Sequence, residues 1–335
     1  MRLKTSSVLP VLSVMLPIFI FAFYFLGIPE KALAVSATDI LLTSVPENPN
    51  PHEEVSLTLS TYSLNLDSLL ITWLVNGKSV LSGVGKKSFS IESGALGVTT
   101  QIEVVIGTVN GELRKRLNIK PAVMTLLWQA NDAYVPPFYK GKALLTEGSD
   151  VKIVAMPEIK SGNGTINPKN LTYSWKKDYT NDPDGSGYGK NSYVFMSDFL
   201  EPVSSVSVVA STLDQSASAE ASITTSASEP EITFYKKDAV FGVDWNNALE
   251  DGHTIDQSMV LVAAPYYISP KEFNYPIWVF RWYIDEEMQE IRNYNKNMMP
   301  LTVQEGISGA STLRLDIENT DKLFQTASKS ITIGF

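Results

Sequence analysis

Apolar and polar positions alternate with a period of two along most of the chain. The runs VSLTLS (55–60), VKIVAM (151–156) and MVLVAA (259–264) are followed in each case by a strand centred on a tryptophan: LLITWLVNGK with Trp73, LTYSWKKDYT with Trp175 and VFRWYIDEE with Trp282. Further alternating runs come after each tryptophan: SFSI, SYVF or LTV, then TQIEVVIGT (100–108), VSSVSVVAST (203–212) or STLRLDIEN (311–319), then LRKRLNIK, SAEASITT or SKSITIGF. This alternation and the wealth of β-branched residues predict half-buried strands. No stretch past the N-terminal segment keeps a 3.6-residue period over three turns, so that part of the chain is predicted to be all-β. The Trp-to-Trp spacings are 102 and 107 residues, the size of one seven-stranded sandwich. The pattern therefore predicts three tandem β-sandwiches, at 35–122, 123–229 and 230–335, behind an N-terminal segment 1–34.

A near-repeat of ten letters reinforces the period. SGVGKKSFSI (82–91) returns as SGYGKNSYVF (186–195), and the distances from each tryptophan to the lysine of the pattern, Lys86, Lys190 and Lys296, are 13, 15 and 14. The glycines supply the positive φ of a bend that leaves the Trp strand and enters the next one, and the alternation after the lysine turns Phe89 and Tyr193 inward. A phosphate loop would have to run into a helix, whereas this segment runs into a strand. Asn76-Gly77 is a hairpin turn signal.

The central tryptophan and the Pro-rich edge leading into a first core strand (TSVPENPNPHEEVSLTLS) resemble the tandem Ig-like or PKD-like modules of bacterial surface and secreted proteins, over about residues 38–335. The resemblance implies Ig-like sandwiches. The cysteine pair of antibody-type domains is missing, because the chain has no cysteine, and apolar residues must fill those places.

Two segments exceed the minimal unit: VMTLLWQANDAYVPPFYKGKALLTEGS (123–149) and EITFYKKDAVFGVDWNNALEDGHTIDQS (231–258). The first copy is read as lacking this lead-in. One reading makes the lead-ins docking elements whose aromatics pack against the preceding module. The other makes Trp128, Tyr134, Phe138 and Trp245 an exposed ligand-binding patch for a glycan or protein, since aromatic faces with polar handles suit that use. Asn131-Asp132 resembles the calcium linker of cadherins, but the flanking acidic ligands are absent. NDPDGSGYG (181–189) has the centre of a calcium loop, yet Thr180 and Asn191 stand where carboxylates are required, so an Asp-Gly turn is expected there.

The first residues read MRLKTSSVLPVLSVMLPIFIFAFYFLGIPEKALAVSA. A short basic start, an apolar run over 8–28 and Ala32-Leu33-Ala34 at a cleavage position predict a signal peptide, and the length of the run gives a retained membrane anchor as the alternative. Both place the remainder outside the cytoplasm. The net charge is −9, and Arg2, Lys4 and Lys31 against Glu30 make the first 34 residues positive. The acidic remainder disfavours nucleic acid. Absence of cysteine excludes disulfides and thiolate chemistry, and His52 and His253 alone cannot build a polyhistidine metal site. No nucleophile motif is present, and Asp285-Glu286-Glu287 falls where a turn is expected. The expected protein is a non-enzymatic extracytoplasmic Ig-like repeat protein without cofactor or metal, a binding or spacer module at the cell surface. Its partner would be an unidentified protein or glycan, and it would meet the membrane only through its N-terminal segment. The alternatives are a structural component of a cell-envelope or pilus-type assembly and, more distantly, a glycan-active enzyme.

Overall fold

The computed structural model describes residues 39–335 except 163, 292–294 and 323. The expected signal or anchor at 1–34 lies outside these residues. Among the described residues the regular structure is β-strand with short 3-10 turns and no α-helix. The chain divides into two compact units. One gathers the described residues of Met1–Thr43 with Thr58–Phe89 and Glu103–Leu117; the other gathers Ser44–Leu57, Ser90–Ile102 and Asn118–Phe335.

The strand order repeats along the chain. Glu54–Thr61 lies between Ile40–Val45 and Ser88–Glu92 in a three-stranded sheet, while a four-stranded sheet runs Lys78–Val84, Leu70–Val75, Thr100–Thr108, Gly111–Ile119. The same orders recur with Val123–Ala130, Asp150–Glu158 and Ser192–Met196, and with Thr180–Tyr188, Thr172–Lys177, Val203–Ser211 and Ser218–Ser226. They recur again over 231–334, where Gly242–Ala248 and His253–Thr254 each add an edge strand. This is the Ig-like order with its fourth strand moved to the edge of the second sheet. The core over 122–219 draws Val151, Ile153 and Ala155 from one sheet and Tyr173, Trp175, Val206 and Val208 from the other. Over 232–333, Phe234, Leu261 and Ala263 face Trp282, Leu313, Leu315 and Ile317.

Trp73, Trp175 and Trp282 are each 0% exposed. Each indole N–H donates to the carbonyl of the lysine marked in the sequence: Trp73 to Lys86 at 2.8 Å, Trp175 to Lys190 at 2.9 Å and Trp282 to Lys296 at 2.9 Å. The near-constant Trp-to-Lys spacing is thus the arc of chain that must leave the sheet and return to satisfy a buried donor. Gly85 and Gly189 both have φ of 72° and donate to the carbonyls of Leu69 and Leu171, just ahead of the Trp strands. A side chain at either glycine would meet the carbonyl oxygen of Asp67 or Lys169 at 3.2 Å. As expected, Phe89 and Tyr193 turn to the tryptophans, at centroid distances of 5.7 and 5.4 Å.

Each Trp strand ends in a two-residue turn with both φ positive: Asn76-Gly77, Asp178-Tyr179 and Asp285-Glu286. These are the left-handed angles that match strand twist in tight hairpins. Asp178 and Asp285 hold their turns in the same way, each accepting at 2.8 Å from a backbone amide of the neighbouring strand, that of Ser205 or Thr312. The Asp178 carboxyl would be pushed up by burial, but bonds from Lys177 and the Ser205 amide hold it below its usual value. Tyr179 and Glu286 occupy, with φ of 66° and 69°, the position where the first turn has glycine. A left-handed L-residue costs about 1–2 kcal/mol, and glycine returns roughly 0.5–1 of that as lost chain entropy. Tyr179→Gly is therefore expected to raise stability by about 0.5 kcal/mol, read by urea denaturation.

The first copy does have the strand that was read as missing. Ile40–Val45 plays the part of Val123–Ala130 and Glu231–Asp238, and a polar, Pro-rich neighbourhood conceals it in the sequence. What differs is the segment between the first two strands: 46–53 in the first copy, against 131–149 and 239–257 in the others.

Candidate functional site

The long 131–149 segment carries two of the four candidate aromatics, Tyr134 and Phe138, and it packs on residues 266–273 that follow it in the chain. Tyr134 donates its amide to the Ile268 carbonyl at 2.9 Å and accepts from the Tyr267 amide at 2.7 Å. Its ring meets Phe273 edge-on at 5.1 Å. The Tyr139 and Tyr267 hydroxyls lie 2.8 Å apart, and Tyr139 packs edge-on against Tyr266 at 5.5 Å. The Tyr266 hydroxyl is shared in turn with Tyr235 at 2.7 Å. Burial, with a smaller contribution from Tyr235, pushes the Tyr134 phenol up to about 12. Burial and the shared hydroxyls raise Tyr266 and Tyr267 in the same direction. These phenols stay neutral and serve as structural donors and acceptors.

Beneath the aromatics lies a polar seam. Asp132, the residue of the cadherin-like Asn131-Asp132, accepts from the Asp150 amide at 2.9 Å with one oxygen and from the Ser269 hydroxyl with the other. Lys322 reaches over from the loop before the last strand, donating to the Gly148 carbonyl at 2.7 Å and the Ser269 hydroxyl at 3.0 Å, with Asp132 at 3.8 Å. Gln325, wholly buried, accepts from the Ser269 amide at 3.0 Å and donates to the Glu147 carbonyl at 2.7 Å. Phe199 and Phe324 extend the contact at 6.1 Å. Asp132 is thus a junction residue, with both carboxylate oxygens engaged by protein groups.

The four proposed ligand residues do not form one patch. Trp128 lies against its own core and carries Lys142 over its ring at 3.4 Å. Tyr134 is in the junction. Phe138, 86% exposed, and Trp245 line one groove of about 720 Å³ together with Phe241, Lys236, Asp238 and Asp244. Trp245 is steadied by Tyr235 at 5.1 Å. Phe241 is absent from the sequence-based set; its place in the lead-in pattern marked it as a docking aromatic, yet it stands in solvent. Asp238 accepts from the amides of Phe241 and Val240, at 2.9 and 2.7 Å, and these bonds hold its carboxyl below the usual value. The groove offers three aromatic faces, a cation and two carboxylates, a set that can bind by stacking and hydrogen bonding.

The other candidates are structural. Asp182 accepts from the Gly185 amide at 2.8 Å and the Tyr193 hydroxyl at 2.7 Å, within an irregular edge strand rather than the expected turn between two strands. His52 lies 3.1 Å from Glu92, and His253 sits in a two-residue parallel bridge to the last strand. Asp285-Glu286 is the hairpin turn. Among the described residues no three His, Asp or Glu side chains gather as a metal cluster.

The class that this strand order defines is the tandem array of Ig-like β-sandwiches. No family model matches the sequence, and no curated protein does. Among solved structures, the chain is similar to the fibronectin(III)-like modules of Clostridium thermocellum CbhA (14% identity, TM-score 0.27, 56% of this chain and 94% of that one). It is similar also to the central fibronectin-III array of RIM-binding protein (13%, TM-score 0.30, 90% and 99%) and to three N-terminal domains of the bacteriophage RB49 outer capsid protein Hoc (10%, TM-score 0.24, 88% and 97%). The assignment of fold rests on the strand order and the tryptophan cores.

Proposed function

We propose that the chain is a non-enzymatic, extracytoplasmic repeat protein of three Ig-like modules, with boundaries near 122 and 229, that binds or spaces at the cell surface. The observation that carries this reading is the seam around Asp132, Ser269, Lys322 and Gln325. It joins consecutive strand sets by buried and part-buried hydrogen bonds, whereas a flexible tether would be rich in Gly, Ser or Pro and free of such bonds. The polar connection at 224–231 supports it too, since the Ser228 amide is tied to the Leu145 carbonyl at 2.8 Å. A module array with fixed junctions can hold a surface at a set distance. The surface we assign to a ligand is the groove of Phe138, Phe241 and Trp245, open to a glycan or a protein loop. Export is proposed on the basic start and the apolar run of the first 34 residues.

Small-angle scattering on residues 38–335 tests the fixed junctions. One narrow family of shapes is the expected result, and a broad ensemble of independently moving modules would refute it. Mass spectrometry of the native protein decides between cleavage near Ala34 and a retained anchor, and intact Met1 in a cytoplasmic fraction would refute export.

A further inference from the structure

The strand Gly242–Ala248 lies at the edge of its sheet, outside Glu231–Asp238. It does not pair evenly. Tyr235 faces Ala248 and Lys237 faces Val243, so a step of two residues on the inner strand is matched by a step of five on the outer one. Residues 244–247 therefore leave the ladder as a wide bulge. Asp244 closes it, accepting from the Asn246 amide at 3.3 Å and from the Asn247 side-chain amide at 2.8 Å. The bulge carries Trp245 into the groove, half-buried and outside the core of Phe234, Leu261 and Trp282. A bulge re-aims a side chain and blunts the edge against a further strand.

The other two rings are set by backbone as well. Phe241 ends the short loop between Asp238 and Gly242, which pair across the hairpin, and the Asp238 carboxylate holds its amide. Phe138 follows Pro136-Pro137, and the Pro136 carbonyl accepts from the Tyr139 amide at 3.3 Å. Phe138 is the third residue of that turn, with a φ of 64°. The prolines fix the φ angles ahead of it, and the Tyr139 hydroxyl meets Tyr267 behind it. Both phenylalanines are exposed, yet the chain on either side places them. Rings placed before a ligand arrives lose little freedom on binding.

The lining combines flat rings with hydrogen-bonding groups: Lys236 donates, Asp238 and Asp244 accept, and Asn246 does both. A pyranose has the complementary mixture, an apolar C–H face and a rim of hydroxyls. The volume, about 720 Å³, falls within the roughly 300–1,000 Å³ of small-molecule sites, which suits a short segment. A peptide added as a strand would need an open ladder edge, and the bulge interrupts that edge. Two carboxylates against one cation disfavour an anionic chain. Both carboxylates are already tied to protein amides, and their remaining lone pairs suit a neutral hydroxyl.

We infer that the groove takes a short neutral glycan, with sugar faces stacked on Trp245, Phe241 and Phe138 and hydroxyls bonded to Asp238, Asp244, Asn246 and Lys236. The inference rests on the reading, proposed above, of this groove as the ligand surface, and it names the ligand's chemical class.

The full chain, kept in a detergent without a sugar headgroup, is titrated calorimetrically with five probes. Chitotetraose, cellotetraose and maltotetraose are neutral, tetragalacturonate is anionic, and tetralysine stands for a basic protein segment. Tryptophan fluorescence locates the site, because Trp73, Trp175, Trp278 and Trp282 are wholly buried and Trp128 lies under Lys142. The expected result is saturable binding of at least one neutral tetrasaccharide with a change in fluorescence that Trp245→Ala removes. Phe241→Ala should weaken that binding about tenfold and leave the urea midpoint unchanged, since the ring is exposed. No saturable binding of any neutral probe, or binding that neither variant alters, would overturn the inference. Tighter binding of tetragalacturonate would overturn it too. Binding of tetralysine alone would keep the groove as a ligand surface and overturn its assignment to a glycan. Titration reads the groove and scattering reads the junctions, so either reading can fail without the other.

Discussion

Replacing Trp175 by alanine is expected to lower the unfolding free energy by about 3–5 kcal/mol, the range for deleting a large buried aromatic that its surroundings cannot replace. The indole is wholly buried, stacks on Tyr193 at 5.4 Å and spans the two sheets. Its loss also leaves the Lys190 carbonyl without its 2.9 Å partner. Trp73→Ala and Trp282→Ala should cost similar amounts, since each has the same bond and an aromatic neighbour, Phe89 at 5.7 Å or Phe234 at 5.9 Å. Trp175→Phe separates the two contributions. It keeps most of the apolar volume and loses the donor, so a smaller cost of about 1–3 kcal/mol is expected from the orphaned carbonyl. Denaturant titration followed by far-ultraviolet circular dichroism measures all four. A cost under about 1 kcal/mol for all three alanine variants would show that the tryptophans are not the centres of the cores.

The second large effect is expected at Gln325. Its side chain answers two backbone groups from different parts of the chain, the Ser269 amide and the Glu147 carbonyl. Gln325→Leu fills nearly the same volume and leaves both unpaired, at about 1–3 kcal/mol for each buried orphan. The loss should be local to the seam. Hydrogen exchange at residues 267–269 is expected to accelerate by at least about tenfold, a change of roughly 1.4 kcal/mol in local opening. The amides of Asp150–Glu158 and Val203–Ser211 should keep their protection. Unchanged exchange at 267–269 would mean that the seam does not hold the junction. Uniform acceleration throughout would mean that Gln325 supports global stability instead.

The two positions differ in how far the sequence discloses them. The Trp strands and their flanking runs were legible because a half-buried strand writes its burial as alternation, residue by residue. The Trp-to-Lys distances were legible because one hydrogen bond fixes the length of the intervening arc. The Asn76-Gly77 turn was legible because left-handed backbone selects those residues, while Asp178-Tyr179 and Asp285-Glu286 adopt the same turn under tertiary constraint, without a glycine to announce it. The strand Ile40–Val45 was hidden by its Pro-rich continuation, and its role emerges only from pairing with Glu54–Thr61.

What meets what at the loops was not written locally. The aromatic run of 131–149 reads as docking backward or as an exposed ligand patch, because composition records that a side chain needs cover and not which part of the chain supplies it. The structure sends Tyr134 and Tyr139 forward to 266–273, parts Trp128 from the other candidates and brings Phe138 to Trp245. It makes Asp132 a hydrogen-bond acceptor for Ser269 rather than part of an ion linker. The sequence by itself determined the strands, their period and the buried tryptophans, since these follow from local alternation and short-range closure. The tertiary structure alone decided the junction partners and the groove, since those are set by loops more than a hundred residues apart whose geometry exists only once the sheets have formed.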